Sequence, residues 1–543
     1  MATYRISPNE GIDSAGRSGS ISEPWATWAY LDTRISPTSG DIYLQDALSI
    51  ARENIPNTII AANNITLDVY GDGGYATITG FQKITGWAYN STYKVWQNTV
   101  VDGWNVSLNN FPLTFVAWNT DLATTAAQMP DYSFSHDTTS NLLYIKSYEN
   151  PDGCEVAQKE SVLGQWTSTN SSLIVRGYNI TGGWRHGIYT TGKNNMLIEQ
   201  CRIAQCGGDW AGSFYLGNGI EIYGTCSNVV IQDCVFEDIF DSALTPQLSS
   251  TSGQFILGLI ARRNTYRRCG YAGYEGTFNG TSQSLTGLQV LDSIFENIGK
   301  NCWSGNRGGR AITFSNNASA SSSVTSGCLV ANNIIKNSVR GIRFVTTQGE
   351  NTARGNLISD CDYGLVSYQG LNSPGHSDNF VGNVVKNCTV GYGAEGAWAL
   401  TANLFNNTFI QCTTGIKNTT NSVATLIVKN NLITNSGTAF NSSTGTLTET
   451  YNNINSDTVP GKTLDGTDLT LDPQLNSAYI PQNASLLTAG TFLGGADYYL
   501  KTFTNPPPIG ATQKVVTRTL TSRTIGTRTP TTKTIKLKTG IVG

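Results

Sequence analysis

Two glutamates occupy matching phrases of this 543-residue chain, Gly219-Ile220-Glu221 and Gly273-Tyr274-Glu275. In each, a glycine and an apolar residue open a short strand-like stretch, and the next side chain faces outward because strand side chains alternate. The phrase recurs at Gly187-Ile188, Gly341-Ile342, Gly364-Leu365 and Gly415-Ile416, so the outward column reads Tyr189, Glu221, Leu244, Glu275, Arg343, Val366 and Lys417. Paired carboxyl groups suit glycoside hydrolysis, where one protonates the leaving oxygen and the other activates a water. Asp241, just before the intervening strand, completes the candidate catalytic set of Glu221, Glu275 and Asp241. Asp209, Trp210, Tyr215, Tyr271, Arg310 and His186 are the candidate substrate-binding residues, placed on long excursions or strand ends that border the same column.

The elements that would hold this column are set by a ladder of polar residues: Cys201, Cys234, Asn264, Ser293, Asn333, Asn356, Asn383, Asn407 and Asn431. Its last four members lie 27, 24 and 24 positions apart. Such a recurrence marks a supersecondary unit that buries its apolar face only against its neighbours. The apolar pieces are two to five residues long, rich in Val, Ile, Phe and Thr, and broken by Gly, Asn and Ser, which predicts strands. About 24 residues holds three short strands and three bends, one coil of a parallel β-helix, with coils about 4.8 Å apart. Stacked Asn amides can then bond their equivalents in the next coil. A second column, Cys206, Cys269, Cys361, Cys388 and Cys412 with Ser338 and Ser436, is expected to face inward as compact filler. Glu221 and Glu275 fall two coils apart, about 9–10 Å between backbones. Inverting hydrolases hold their carboxyl groups about 6.5–9.5 Å apart.

From roughly Ile59 to Ala511 the chain resembles the right-handed parallel β-helix, or pectin-lyase-like, superfamily. Ile65-Thr66-Leu67 before Gly71-Asp72-Gly73 looks like a first coil, and Ile509-Gly510-Ala511 resembles the phrase that often closes such helices. The right hand follows from the resemblance and from the chirality of parallel crossovers. The expected fold is all-β: a right-handed parallel β-helix solenoid with an inserted small β domain and a short C-terminal arm. These motifs specify architecture and not reaction, since the superfamily holds polysaccharide lyases, glycosidases, epimerases, phage tailspikes and inert adhesins. A lyase would need a base, with Arg262, Arg263, Arg267 and Arg268 as candidates, but the acidic calcium clusters of pectate lyases are not found.

Residues 1–58 are expected to form a lead-in and cap, with a short helix from Asp46 to Glu53; 59–86 a first coil; and 87–150 the inserted domain. The insertion is rich in Trp87, Tyr89, Tyr93 and Trp96 and carries a hairpin around Asp137–Asn141. Residues 151–445 are the body and 446–511 the closing coils; 512–543 form a basic Thr-rich arm for assembly.

Charged residues are 13% of the chain and net charge is −3, so no electrostatic case exists for nucleic acid or a membrane surface. Three scattered histidines, His136, His186 and His376, give no zinc spacing; no metal or cofactor is expected. Eleven cysteines, mostly in the ladder columns, argue for folding in a reducing cytosol, as does an N-terminus without a signal-like apolar core. The sequence therefore favours a phage tailspike- or fibre-like virion protein that recognises, and in one version cleaves, a host surface polysaccharide. Made in the host cytoplasm, it would join other virion proteins through the lead-in or the arm. Resemblance to tailspikes implies a homotrimer. The alternatives are a free, extracellular polysaccharide-degrading enzyme and a non-catalytic structural virion component.

Overall fold

A computed structural model describes residues 2–71, 73–100, 104–109, 111–164, 172–210, 215–300, 308–316, 323–345, 349–369, 376–419, 423–455, 466–477, 479, 481–491 and 509–511. The arm at 512–543 lies outside them. Three parallel sheets wind along one axis. The first face stacks 14 described strands, from Thr3–Ile6 to Thr446–Thr450; the second stacks 13, from Ile50–Ala51 to Asn453–Asn455. The third stacks 11, from Lys159–Gly164 to Thr438–Ser442. Consecutive strands of a face are equivalent positions of consecutive coils, as in Leu197↔Val230↔Ile260↔Gln289↔Leu329.

The bends explain the composition. Between the first and second faces one residue takes a left-handed conformation, as at Asp233 (φ 56), Asn332 (φ 62) and Asn430 (φ 57). Asn, Asp and Gly tolerate that region best. The following residue turns inward, and it is the ladder residue. Asn356 Oδ1 accepts from Asn333 N–H at 3.0 Å, Asn383 Oδ1 from Asn356 N–H at 3.0 Å, and Asn407 Oδ1 from Asn383 N–H at 3.0 Å. Their amide nitrogens donate to the next Oδ1 and to carbonyls of the previous coil, as Asn383 Nδ2 does to Ala353 O at 3.0 Å. The ladder runs beyond the expected end, to Asn452 and then to Asp468, whose Oδ1 accepts from Asn452 N–H at 2.7 Å. The second bend repeats the device: Asp360 (φ 57), Asn387 (φ 53) and Gln411 (φ 53) precede Cys361, Cys388 and Cys412, all buried. The ten described cysteines are free and buried. Inside, Phe236, Tyr266 and Phe295 stack with centroids 4.9 and 4.4 Å apart.

The N-terminal boundary is corrected. Thr3–Ile6 already pairs in parallel with Ile42–Asp46, and Ile42–Asp46 with Ile65–Tyr70, so coils begin well before residue 59. Nor is Asp46–Glu53 a helix: Ile50–Ala51 pairs with Thr77–Ile78 on the second face, because burying Ala51 inside the stack outweighs local helix propensity. Short helices lie instead at Trp28–Arg34, with Thr27 Oγ1 accepting from Tyr30 N–H at its start and Trp28 and Leu31 fully buried, and at Asn57–Ala61.

The small β domain loops out between Ala76–Thr79 on the second face and Lys159–Gly164 on the third. It contains a four-stranded and a five-stranded sheet, with the hairpin Ser133–Asp137/Leu142–Lys146 as read from sequence. Trp87 and Val95 are buried within it, whereas Tyr89 and Tyr93 are exposed. Ile509 and Ala511 do not sit on the end of the coil: they pack beside the second face against Leu432, Val384 and Ile410.

Asn383→Ala strands several buried polar groups at once, each costing about 1–3 kcal/mol. It is expected to lower the urea midpoint markedly, while Asn387→Gly, at an exposed left-handed bend, changes stability by less than about 1 kcal/mol. Equal midpoints for the two variants would remove the ladder from its central role.

Candidate functional site

Each third-face strand begins with two successive inward residues. A Cβ on Gly219 would meet Ala243 O at 2.5 Å, and one on Gly273 would meet Phe295 Cδ1 at 2.5 Å, so these corners admit almost nothing. The residue before this corner pair and the residue after it both point out, making two neighbouring external columns. The outer one reads Tyr189, Glu221 and Thr245 across paired strands, then Glu275, Thr313, Arg343 and Val366 further along. The other carries His186, Asn218, Ser242, Ala272, Arg310, Arg340 and Tyr363. Leu244, expected to face outward, belongs to the interior core; Ala243 takes the glycine position there, so Thr245 is the residue in register with Glu221.

Glu221 and Glu275 therefore share one column two coils apart, about 9–10 Å between backbones. They are 5% and 7% exposed. A chain of hydrogen bonds joins them. Asn218 Nδ2 donates to Glu221 Oε2 at 2.7 Å, Ser242 N–H donates to Asn218 Oδ1 at 3.2 Å, and Ser242 Oγ donates to Glu275 Oε2 at 2.7 Å. Ala272 and Thr313 keep the flanks of Glu275 small.

Burial pushes the Glu221 carboxyl up to about 7, against the pull of its Asn218 hydrogen bond; the charges of Asp241 and Glu275 push the same way. His186 Nδ1 lies 3.4 Å from Glu221 Oε2, a contact outside hydrogen-bond geometry. Burial drives that imidazole down to about 3, with the Arg185 charge adding to the effect. Between these values the pair is uncharged. Tyr271 is raised first by burial and then by Glu275 and Asp241, and the Arg310 guanidinium lies 4.6 Å over its ring.

The structure thus gathers Glu221, Glu275, Asp241, Tyr271, Arg310 and His186 into one patch. Asp209–Trp210 and Tyr215–Leu216 form a protruding antiparallel hairpin at its border, but the side chains of Asp209, Trp210 and Tyr215 lie outside the described residues. The inserted domain buttresses the hairpin: a Cβ on Gly208 would meet Trp104 O at 2.2 Å, and Asn105 Nδ2 donates to Gln205 O at 2.7 Å. Asn218 and Ser242 escaped sequence reading because two inward residues in a row break strict alternation. The candidate lyase arginines are elsewhere, on the first and second faces and their bends. Arg263 pairs with Asp233 at 2.7 Å, Arg268 with Asp238 at 2.6 Å and Arg267 with Glu296 at 3.0 Å, while Arg262 donates to Gln232.

A family model described as a right-handed β-helix region matches residues 152–257. A second, described as periplasmic copper-binding protein (NosD), matches 261–466. The donor set in that second stretch does not fit copper. Its described cysteines are buried inside the coil, where Cys388 contacts Cys361, its one histidine is His376, and among the described residues no three His, Cys, Asp or Glu converge to hold a metal. No curated protein matches the chain. Solved structures similar to it include a lacto-N-biosidase from Eubacterium ramulus at 10% identity, covering 82% of this chain and 68% of that one with a TM-score of 0.45. A glycoside hydrolase matches at 10%, covering 83% and 95% with a TM-score of 0.43. The tailspike protein gp49 from Pseudomonas phage LKA1 matches at 10%, covering 78% and 84% with a TM-score of 0.27.

The two buried groups leave opposite signatures in stability. Glu221, raised from 4.5 to about 7, contributes stability that is complete below pH 4.5 and lost as pH rises towards 7. His186, lowered from 6.5 to about 3, contributes stability that is complete above pH 6.5 and lost as pH falls towards 3. Thermal midpoints measured across this range should lose their decline between pH 4.5 and 7 in Glu221→Gln, and lose part of their acid-side decline in His186→Gln. An unchanged profile in Glu221→Gln would show that this carboxyl titrates normally. With every coil-to-coil pairing along the body parallel and the family match at 152–257, the chain is a right-handed parallel β-helix.

Proposed function

We propose that this chain is a tailspike- or fibre-like phage virion protein whose third face binds a host surface polysaccharide and hydrolyses it with inversion. The observation that carries the hydrolase reading is the Glu221–Glu275 pair, set two coils apart and tied through Asn218 and Ser242, with Glu221 holding its proton to about pH 7. In this reading Glu221 donates its proton to the glycosidic oxygen as the bond from that oxygen to the anomeric carbon breaks. Glu275 takes a proton from the water that attacks the same carbon from the opposite side. Burial, aided by the negative charge of Asp241, keeps the acid protonated. Tyr271 and Arg310 border the sugar.

Buried free thiols throughout the coil fit synthesis in a reducing cytoplasm before virion release. Homotrimerisation, and attachment to other virion proteins through either end, belong to the same proposal; nucleic acid and membrane do not. A non-cleaving adhesin is the second reading, favoured by the low exposure of both glutamates.

The test is incubation with a panel of bacterial surface polysaccharides. New reducing ends without an unsaturated product, inversion at the anomeric carbon by NMR, and about 10²–10⁴-fold loss in Glu221→Gln and Glu275→Gln are expected. An unsaturated, ultraviolet-absorbing product would establish a lyase and overturn the acid pair. Tight binding without any product would establish the adhesin.

A further inference from the structure

Beyond Glu275 the same face turns basic. Arg310 and Arg340 are direct cross-strand partners, and Arg343 stands in the neighbouring column, paired across the sheet with Thr313. Three guanidinium groups on adjacent coils repel one another, yet among the described residues they meet little counter-charge. Arg340 Nη2 lies 3.6 Å from Glu395 Oε1. Arg310 has no carboxylate partner, and its Nε and Nη1 are buried without a hydrogen bond. Arg343 is 8% exposed, and its Nε is likewise buried without one. Burial and the charges of Arg310 and Arg340 lower Arg343 to about 10.

Buried donors left unmade are costly, and a charged one more so. What holds the three in place is aromatic. Arg310 lies over Tyr271 at 4.6 Å, Arg340 over Tyr363 at 5.4 Å and Arg343 over Tyr368 at 4.4 Å. A guanidinium fixed by its flat face keeps its N–H edges free for a planar, bidentate acceptor. A cleft of about 220 Å³, lined by Tyr363, Tyr368, Glu395 and Lys417, continues the surface from these arginines.

We propose that Arg310, Arg340 and Arg343 form a subsite for the carboxylate of a uronic-acid-type sugar, so that the polysaccharide bound on this face is acidic. Glu275 and Arg343 lie two coils apart, with Thr313 between them. That span, about 9–10 Å, places the acidic sugar beside the residue undergoing hydrolysis. The position relative to cleavage rests on the hydrolase reading; the anion subsite itself does not.

The experiment is calorimetric titration of the full chain with a galacturonic acid tetramer, its fully methyl-esterified form and a sulfated neutral tetramer. The acid form is expected to bind on the order of 10–100-fold more tightly than the ester, the scale of a hydrogen bond to a charged group. Arg310→Gln and Arg343→Gln should each shrink that preference, and added salt should weaken it. The wild-type comparison of acid with ester needs no variant and stands even if one fails to fold. Equal binding of acid and ester, no binding of either, or tighter binding of the sulfated sugar would overturn the proposal. The acid preference is expected to persist in Glu221→Gln. Preference without hydrolysis would keep the subsite and sink the hydrolase reading, whereas hydrolysis of neutral polymers without preference would do the reverse.

Discussion

The whole structure depends on what happens to backbone N–H groups at the bends. Within a face, each strand is bonded to the equivalent strand of the next coil. At a bend the chain turns away from that pattern, and the first N–H after the turn points into a core that excludes water. An unpaired donor there would cost about 1–3 kcal/mol on every coil. Asn356, Asn383, Asn407 and Asn431 each remove that cost by accepting from the N–H one coil earlier, while their own amide protons go to carbonyls in the interior. Where a Ser stands in the ladder, as at Ser293, a hydroxyl accepts instead. The bond requires equivalent positions to be directly superposed, so it enforces register as well as stability.

Register is what the exterior inherits. Once coils are locked in superposition, outward side chains on the third face can differ only by whole coils along the axis. A distance between two functional groups is then a multiple of about 4.8 Å, adjusted by side-chain reach. One step would put two carboxylates in contact and couple their titrations strongly. Two steps leave room for Thr245 and, in the proposed reading, for a water and a sugar ring. The unequal environments of Glu221 and Glu275 arise at this level too: Glu221 sits with Asn218 and the buried His186, and Glu275 with Ser242 and the small Ala272.

The sequence made the interior more legible than the exterior. Asn383-Val384-Val385 and its relatives repeat because every coil faces the same bend problem, and repetition is visible in one sequence. The repeat was missed at Asn452 because Tyr451, an unusual residue for a left-handed bend, hides it (φ 58). It was missed at the N-terminus because Ile50–Ala51 is a strand of two residues. The outward glutamates were legible through their Gly-apolar lead, and Thr245 was misread as Leu244 where Ala243 replaces the glycine. Asn218 and Ser242 could not be found this way, because their contacts with Glu221 and Glu275 arise only when the corner turns two residues inward together. The bordering hairpin strands Asp209–Trp210 and Tyr215–Leu216 form a two-stranded sheet of their own with no counterpart on other coils among the described residues, so they follow no pattern that a repeat could reveal.

The electrostatic layout of the third face is ordered along the axis. Glu221, Asp241 and Glu275 lie toward one end and Arg310, Arg340 and Arg343 follow, with no salt bridge across the boundary among the described residues. Ion pairing between Glu275 and a guanidinium would have been the simple way to stabilise both buried charges. Ser242 Oγ donates to Glu275 instead, and the Arg310 guanidinium lies over the Tyr271 ring with its Nε and Nη1 unbonded. Ala272 and Thr313 stand between the two kinds of group along their columns. In the proposed reading, a polymer lying along the axis would meet proton-donating chemistry at one end and anion recognition at the other. On that reading the order of the coils sets a chain polarity, and not a mere affinity.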